Sequence, residues 1–340
     1  MCGIAGFWRS SADQTVDWLE DTGSTMMNTL VHRGPDDSGT WVDRAVGVAF
    51  GHRRLSIIDV SKAGHQPMIS ANGRFIITYN GEIYNFLKLR QQLEKKGYRF
   101  RGHSDTEVML ASFVHWGVES SVRKFNGMFA FALWDRQNRQ LWLARDRIGE
   151  KPLYYGVQNG TFFFASELKA IRANPEFKPE IDRDALASFL RFSYVPAPYC
   201  IYKGIKKLLP GHILCLKSPE YLIDSQPYWS LDKMMQNVTN NSFTGSEEEA
   251  VDELESKLKQ TVKSRMVSDV PLGAFLSGGI DSSTIVALMQ SQSDRPVNTF
   301  TIGFHEKEFN EAVHAKKVAE HFGTNHTELY ITPQEAMAVI

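Results

Sequence analysis

The sequence predicts two domains of different class. The first is an α+β domain of stacked sheets with helices outside; the second is an α/β domain with a parallel sheet. Three observations carry this reading. Segments rich in β-branched and aromatic residues dominate the chain up to about residue 216. Their apolar residues fall on both faces of the strands, which requires a second layer on each side. Beyond a polar stretch, helical and extended patterns alternate, as in βαβ units. A chain of 340 residues has the length for roughly two domains, each with its own core.

The elements follow in order. GIAGFW (3–8), AVGVAFGHRRLSII (45–58) and RFIITY (74–79) read as strands bounded by Gly, Asn and Asp. MFAFALWDRQNRQLWLARD (128–146) reads as a hairpin. In it Phe129, Phe131 and Leu133 alternate with small residues, DRQN turns, and Leu141 and Leu143 lead back. Two helices interrupt the strands. One, NFLKLRQQLEKKG, is capped by Asn85 and closed by Gly97; the other begins at Ser104, which has capping-box spacing to Glu107. The first domain is thus expected over residues 2–216 and a polar, turn-rich linker over 217–245. Ser246 caps a helix running to Met266, with Glu247, Glu248 and Glu249 near the positive end of its dipole. Then come strand 272–276, helix 282–292, strand 297–304, helix 310–323 and strand 327–332, a βαβαβ pattern within a second domain over 246–340. No internal repeat or low-complexity segment is present.

Composition narrows the function classes. A formal net charge of −1 provides no electrostatic case for a nucleic acid or membrane partner. Arg9 and Asp13 interrupt the start before a signal-peptide core can form, and no apolar run reaches the roughly 18 residues of a membrane span. Cys2, Cys200 and Cys215 form no CxxC pair, no disulfide framework and no zinc-type cluster, which fits a reducing cytoplasm and no metal centre of the chain's own.

Chemistry is concentrated in a few stretches. Removal of Met1 would give Cys2 both a thiol and a free α-amine, whose pKa of ~7.7–8.0 leaves a usable neutral fraction at pH 7. Nucleophile and base then reside in one residue; the alternative is a small buried hydrophobe opening a strand. In YNGEIYN, Asn80 offers an amide donor and Gly81 an unobstructed N–H, either an oxyanion hole or a tight turn. GHRRLSIID places two arginines in an apolar strand, one of them inward, where its guanidinium wants a carboxylate from substrate or protein. In GHSDTEVML, Asp105 sits at a helix start, placed either to receive a substrate ammonium or to cap.

Taken together, MCGIAG, HRGPDDSG, GHRRLSIID, YNGEIYN, HSDTEVML, NGMFAFALWD and ARDRIGEKPLYY resemble the glutaminase domain of class II glutamine amidotransferases. These are N-terminal nucleophile hydrolases, and the resemblance runs from Cys2 to about Leu216. It implies a four-layer αββα sandwich. It also implies that Cys2 attacks the side-chain amide of glutamine and that Asn80 and Gly81 form the oxyanion hole. Arg54, chosen over Arg53 because it precedes LSIID, would bind the substrate α-carboxylate. Asp105 and Glu82 would contact its α-amino group, and Leu55 and Ile57 would line the pocket.

In the second domain, FLSGGIDSS places two glycines between a strand and a helix, where backbone N–H groups can cradle phosphate. The Walker Gly-Lys-Ser/Thr triplet is absent, so this is no ordinary P-loop. SGGxDS resembles the pyrophosphate loop of the N-type ATP pyrophosphatases, an adenine nucleotide alpha hydrolase-like fold. Behind a class II glutaminase, it resembles the glutamine-hydrolysing asparagine synthetase family. By that resemblance Leu276, Ser277, Gly278, Gly279, Asp281 and Ser282 hold ATP with its Mg2+-bound pyrophosphate, and Ile302 lies against the adenine. Family members continue through further acceptor-binding elements, so the second domain is expected to be incomplete at residue 340.

The implied activity is ATP-dependent amide synthesis. Glutamine supplies ammonia, and ATP activates an acceptor carboxylate, aspartate first among candidates, as an acyl-adenylate. A uronic acid or another surface-polysaccharide precursor is the alternative acceptor. A non-catalytic glutamine or nucleotide sensor is the alternative of another class, against which intact Cys2, Asn80 and Asp105 speak. A homodimer is left open.

Overall fold

A computed structural model describes residues 1–10, 15–221, 224–240, 242–306, 308 and 310–339. The chain divides into two units, Met1–Asn240 and Asn241–Ile340. Strands of the first unit are β1 (Gly3–Arg9), β2 (Asp37–Asp43), β3 (Val48–Arg54), β4 (Met68–Ile69), β5 (Phe75–Ile83) and β6 (Gly127–Asp135). They continue with β7 (Gln140–Arg145), β8 (Tyr154–Gln158), β9 (Thr161–Ala165), β10 (Ile205–Lys207), β11 (His212–Leu216) and β12 (Gln226–Pro227). They form two six-stranded sheets, ordered β10-β8-β9-β1-β3-β2 and β12-β11-β7-β6-β5-β4. Neighbouring strands are antiparallel throughout.

Alternation along β1 shows why these strands have no polar face. Ile4 and Trp8 point into the space between the sheets, where they join Ile76, Ala130, Ala132 and Trp134 of the opposite sheet. The rings of Trp8 and Trp134 meet edge to face with centroids 5.0 Å apart. Ala5 and Phe7 point the other way and pack with Leu19, Met26 and Met27 of the helix Val16–Asn28. On the far side of the second sheet, Tyr79 and Phe131 pack with Leu93, Phe113 and Val122 of the helices Phe86–Glu94, Asp105–Trp116 and Val118–Lys124. The order is helix, sheet, sheet, helix: the four-layer αββα sandwich.

Several local expectations need correction. The strand expected over 45–58 spans only Val48–Arg54, because the chain leaves the sheet after Arg54, where Leu55, Ile57 and Ile58 line a cleft. Asn85 holds the N-cap position of its helix but its side chain caps nothing; it bridges to the Lys124 carbonyl and the Asn126 N–H instead, at 2.9 Å each. Ser104 does cap, accepting from the Glu107 N–H at 3.3 Å, but Glu107 turns away to the N–H groups of Arg101 and Gly102, so the box is half made. More than two helices accompany the strands. Val16–Asn28 escaped notice because Gly23, Ser24 and Thr25 are poor helix formers, and burial of Met26 and Met27 overrides them.

The stretch 217–245 is not linker throughout. It contains β12 and the helix Leu231–Asn240, while Leu222, Ile223 and Asn241 lie outside the described residues. Tyr228 is buried and its hydroxyl donates to the Arg145 carbonyl at 2.8 Å, which ties this stretch to the first unit. Two aromatic anchors, Tyr228 and Trp229, were hidden among turn residues.

The second unit begins with the helix Glu247–Arg265, for which Ser246 and Glu249 complete a capping box. Strands β13 (Gly273–Phe275), β14 (Asn298–Phe304) and β15 (Asn325–Ile331) form a parallel sheet in that order. The helices Ile280–Gln290 and Ala312–Phe322 connect them. Thr299 and Thr301 are buried, whereas Phe300, Ile302 and Phe304, alternating with them on β14, stand exposed beside Phe275 and Leu329 of the neighbouring strands. No helix among the described residues is long and apolar enough to cross a membrane.

Candidate active site

β1 pairs with β3 so that Gly3 lies opposite Arg53, which puts Cys2 beside the point where β3 gives way to Leu55. On the opposite sheet, β5 carries Tyr79 to Glu82 along the pairing with β6. Between them lies a cleft lined by Cys2, Arg54, Leu55, Ile57, Asn80, Gly81, Glu82 and Asp105 together with Met1, Gln66, Tyr79, Met128 and Lys151. Every residue expected to handle glutamine is therefore in one place.

The Cys2 thiol is held by the backbone of a single residue: it donates to the Leu55 carbonyl at 3.6 Å and accepts from the Leu55 N–H at 3.4 Å. Leu55 thus contributes its backbone as well as a wall. Burial raises the thiol pKa, so the resting sulfur is protonated and needs a base before it attacks.

Arg54 is the inward arginine, 7% exposed, while Arg53 reaches Asn28 on the helix Val16–Asn28. Its protein partners are not carboxylates. The guanidinium donates to the carbonyls of Ser61 at 3.1 Å, Ile58 at 3.3 Å, and Asp59. This close packing requires glycine at residue 64, where a Cβ would stand 1.9 Å from Arg54 Nη2. A guanidinium has five donors, so carbonyl contacts of this kind leave its charge and some donors for an anion in the cleft.

Asn80 and Gly81 do not form a tight turn; β5 runs through them to Ile83. Asn80 is 1% exposed, and its Nδ2 has no hydrogen-bond partner among the described residues. Buried amides are nearly always paired, so a solitary donor in the wall of a cleft marks a place for a ligand atom. Glycine is required next to it because a Cβ at residue 81 would lie 2.1 Å from the Met128 carbonyl oxygen.

Asp105 is the first residue of its helix and is buried; its Oδ2 accepts from the Tyr79 hydroxyl at 2.8 Å and the Ile83 N–H at 2.9 Å. Burial pushes its pKa up despite these donors. Burial and then the Asp105 charge raise Glu82 to about 6. The cleft thus offers a guanidinium and two carboxylates, the charges that an α-amino acid's carboxylate and ammonium would meet.

Sequence reasoning missed the groups that hold this wall. The Tyr79 backbone is held at both of its polar groups: its carbonyl meets His52 Nε2 at 3.0 Å, and its N–H donates to Gln66 Oε1 at 2.8 Å. Burial lowers the His52 pKa to about 4, so it is neutral at physiological pH and donates through Nε2. Lys151, 4% exposed, donates from Nζ to the Met1 sulfur at 2.9 Å, and burial lowers its pKa. His52 and Lys151 lie within the motifs GHRRLSIID and ARDRIGEKPLYY, whereas no motif marks Gln66.

In the second unit, the segment from Leu276 to Ser282 leaves the carboxyl end of β13 and enters the helix Ile280–Gln290, which starts two residues earlier than expected, with Gly279 at its N-cap. Gly279 brings no side chain to satisfy the first-turn N–H groups. Gly278 has φ of +81°, and a Cβ there would meet Ala315 N and His314 Cβ at 2.8 Å each. Ser277 and Ser282 brace the loop: their hydroxyls are 3.0 Å apart, and Ser282 Oγ accepts from the Ser277 N–H at 3.2 Å. Leu276 is buried beneath it and Asp281 is exposed. Ile302 lies on the open face of β14, in a surface cleft with Phe304, Glu306 and Glu311. Among the described residues no group of three His, Cys, Asp or Glu side chains could hold a metal ion.

Comparison with known proteins adds the following. The profile of the glutamine amidotransferase domain matches residues 1–229, and that of asparagine synthase matches residues 253–340. Asparagine synthetase [glutamine-hydrolyzing] 1 of Bacillus subtilis is 39% identical over 339 residues, covering 99% of this chain and 51% of the relative. Asparagine synthetase [glutamine-hydrolyzing] 3 of the same organism is 36% identical over 352 residues, covering 98% of this chain and 55% of the relative. The chain therefore spans about half the length of these relatives. A solved structure described as the allosteric regulatory enzyme of purine biosynthesis aligns with a TM-score of 0.50 at 17% identity, over 99% of this chain and 69% of that one, a likeness of fold alone.

Proposed function

Because the chain belongs to the glutamine-hydrolysing asparagine synthetase family, we propose that its first unit hydrolyses glutamine at Cys2 and that the ammonia released serves an ATP-dependent amide synthesis. The observation that carries the first half is the buried, unpartnered Asn80 Nδ2 in the wall of the cleft that also holds the Cys2 thiol.

Removal of Met1 makes Cys2 the N-terminal residue. Its α-amine, neutral for part of the time at pH 7, takes the thiol proton. Sulfur attacks the side-chain amide carbon of glutamine, and the carbonyl oxygen becomes an oxyanion facing Asn80 Nδ2 and the Gly81 N–H. Collapse expels the amide nitrogen as ammonia, which takes the proton from the α-amine, and leaves a glutamyl thioester. Water, giving up its proton to the same amine, then hydrolyses the thioester to glutamate and restores the thiol. Arg54 binds the substrate α-carboxylate, Glu82 and Asp105 its ammonium, and the side chains of Leu55 and Ile57 its apolar stem.

In the second unit, the uncapped helix start and the close backbone packing at Gly278 fit a phosphate ligand. Ser277, Gly278, Gly279 and Ser282 would cradle the pyrophosphate of ATP, Leu276 would support the loop, and Asp281 would face the accompanying Mg2+. Ile302 would offer an apolar surface to the adenine. ATP supplies the activation of the acceptor carboxylate as an acyl-adenylate. Aspartate is the proposed acceptor, from the names of the relatives.

The test incubates the protein with glutamine, ATP, Mg2+ and aspartate, with glutamate, pyrophosphate and asparagine measured separately. Glutamate release that does not need ATP is expected of the first unit, and its absence would end the glutaminase reading. Pyrophosphate that forms with another carboxylate but not with aspartate would overturn the acceptor assignment alone.

A further inference from the structure

A nucleophile at a chain end has no preceding residue to anchor it, and chain ends fray unless tied down. The ties on Cys2 are therefore informative. Its carbonyl accepts from Arg33 Nε at 2.9 Å, and the same guanidinium donates from Nη1 to Glu167 Oε1 at 2.8 Å. One planar side chain, 10% exposed, bridges the nucleophile's own peptide group to a carboxylate distant in sequence. Gly3 keeps the passage narrow: a Cβ there would stand 3.0 Å from Leu30 Cβ and 3.4 Å from Arg33 Cδ.

Glu167 is fixed to the same strand from the other side. β9 pairs with β1 through Ala5 and Ala165. The next residue, Ser166, grips Ile4 twice: its N–H donates to the Ile4 carbonyl at 2.8 Å and its hydroxyl accepts from the Ile4 N–H at 3.1 Å. Glu167 follows at the N-cap position of the short helix Leu168–Arg172, but its side chain makes no capping bond. It turns to a set of side-chain donors instead: Arg33, His32 at 2.9 Å and Lys169 at 3.2 Å. Burial opposes its charge, but the hydrogen bonds from Arg33, His32 and Lys169 outweigh it and hold the carboxyl down at about 2, ionised at any working pH.

We propose that Glu167 is a positioning residue for the nucleophile: through Arg33 it fixes the Cys2 carbonyl, and with it the direction of the thiol. This rests on the glutaminase reading. Of the side chains on Glu167 among the described residues, only Arg33 touches Cys2; His32 and Lys169 share the carboxylate without reaching the nucleophile. Reacting groups must be held closely, and a misplacement of about 1 Å can cost on the order of 100-fold in rate.

The experiment measures steady-state glutamine hydrolysis for Glu167→Gln, Arg33→Lys, His32→Ala and Lys169→Ala, alongside the rate at which iodoacetamide alkylates Cys2. Glutamate release by the unaltered protein comes first; its absence would defeat the glutaminase reading rather than this one. Glu167→Gln is expected to lower kcat about 10- to 100-fold with KM little changed, because Arg54, Glu82 and Asp105 are untouched. Arg33→Lys, which keeps the charge but cannot span both groups, is expected to do the same and carries the test alone where Glu167→Gln does not fold. Cys2 alkylation should change in both variants, and His32→Ala and Lys169→Ala should hydrolyse glutamine at nearly the original rate. Unaltered kcat in Glu167→Gln or Arg33→Lys overturns the proposal. So does an equal loss in His32→Ala and Lys169→Ala, or a loss expressed in KM alone, since either would mean general loosening of the surface.

Discussion

Replacing Asn80 by alanine removes a donor that the resting protein leaves unused. That makes the expected result unusual for a residue only 1% exposed. A buried amide that is paired supports the fold, and its loss destabilises by about 1–3 kcal/mol. The Asn80 Nδ2 has no partner among the described residues, so its desolvation is a cost already carried by the folded state. Asn80→Ala should therefore leave the thermal midpoint near its original value, or raise it. Catalysis should suffer, because the charge that develops on the glutamine carbonyl oxygen loses one of two donors. Removal of one such donor typically costs about 2.7–4 kcal/mol of transition-state stabilisation, or about 100- to 1000-fold in kcat. The assay is steady-state glutamate release at saturating glutamine, paired with a thermal melt of the same preparation. A lower kcat at unchanged melting temperature supports the hole. Unchanged kcat with raised KM would refute it by showing that Asn80 grips the ground state, and a fall in melting temperature matching the activity loss would show an ordinary structural amide.

Two further perturbations probe the substrate clamp. Arg54→Lys should raise KM for glutamine about 10- to 100-fold with kcat little changed, since a hydrogen bond to a charged group is worth about 1.5–3 kcal/mol; a kcat defect at constant KM would remove Arg54 from the carboxylate site. Glu82, raised to about 6 by burial and then by Asp105, must be ionised to hold an ammonium, so kcat/KM should fall as pH drops through about 6, and Glu82→Gln should abolish that limb. Its effect on stability has the opposite sign. The folded state holds this proton more tightly than the unfolded chain, for which the ordinary value is 4.5, so stability declines as pH rises from about 4.5 to about 6, and melts of the parent and Glu82→Gln should diverge across that window. Asp105, Lys151 and the chain's amine are the charged groups that bear on Glu82 there.

Much of the cleft was legible because its residues lie in motifs whose chemistry is local. Asn-Gly supplies two donors side by side, and a cysteine in second position needs only Met1 removed. The partner of Arg54 was not legible: an inward guanidinium suggested a carboxylate, but the loop after β3 folds back and surrounds it with carbonyls, which carry no side-chain signature. The same holds for the clamp on Tyr79, made by residues 27 and 13 positions away in sequence. Glu167 lies 134 residues from Arg33, and only the pairing of β9 with β1 brings them together. The βαβαβ pattern was readable because each helix and strand keeps its own period. In contrast, the helix Leu231–Asn240 was lost in a polar stretch whose anchors are Tyr228 and Trp229, just before it.

The central claim is that Cys2, made N-terminal by loss of Met1, is the nucleophile. The most direct test is a mass spectrum of the N-terminal peptide from fully active protein quenched in acid during glutamine turnover. A peptide that begins at Cys2 and carries a glutamyl group on that residue is the predicted result. Met1 retained on fully active protein, or the glutamyl group found on Cys200 or Cys215 instead, would contradict it.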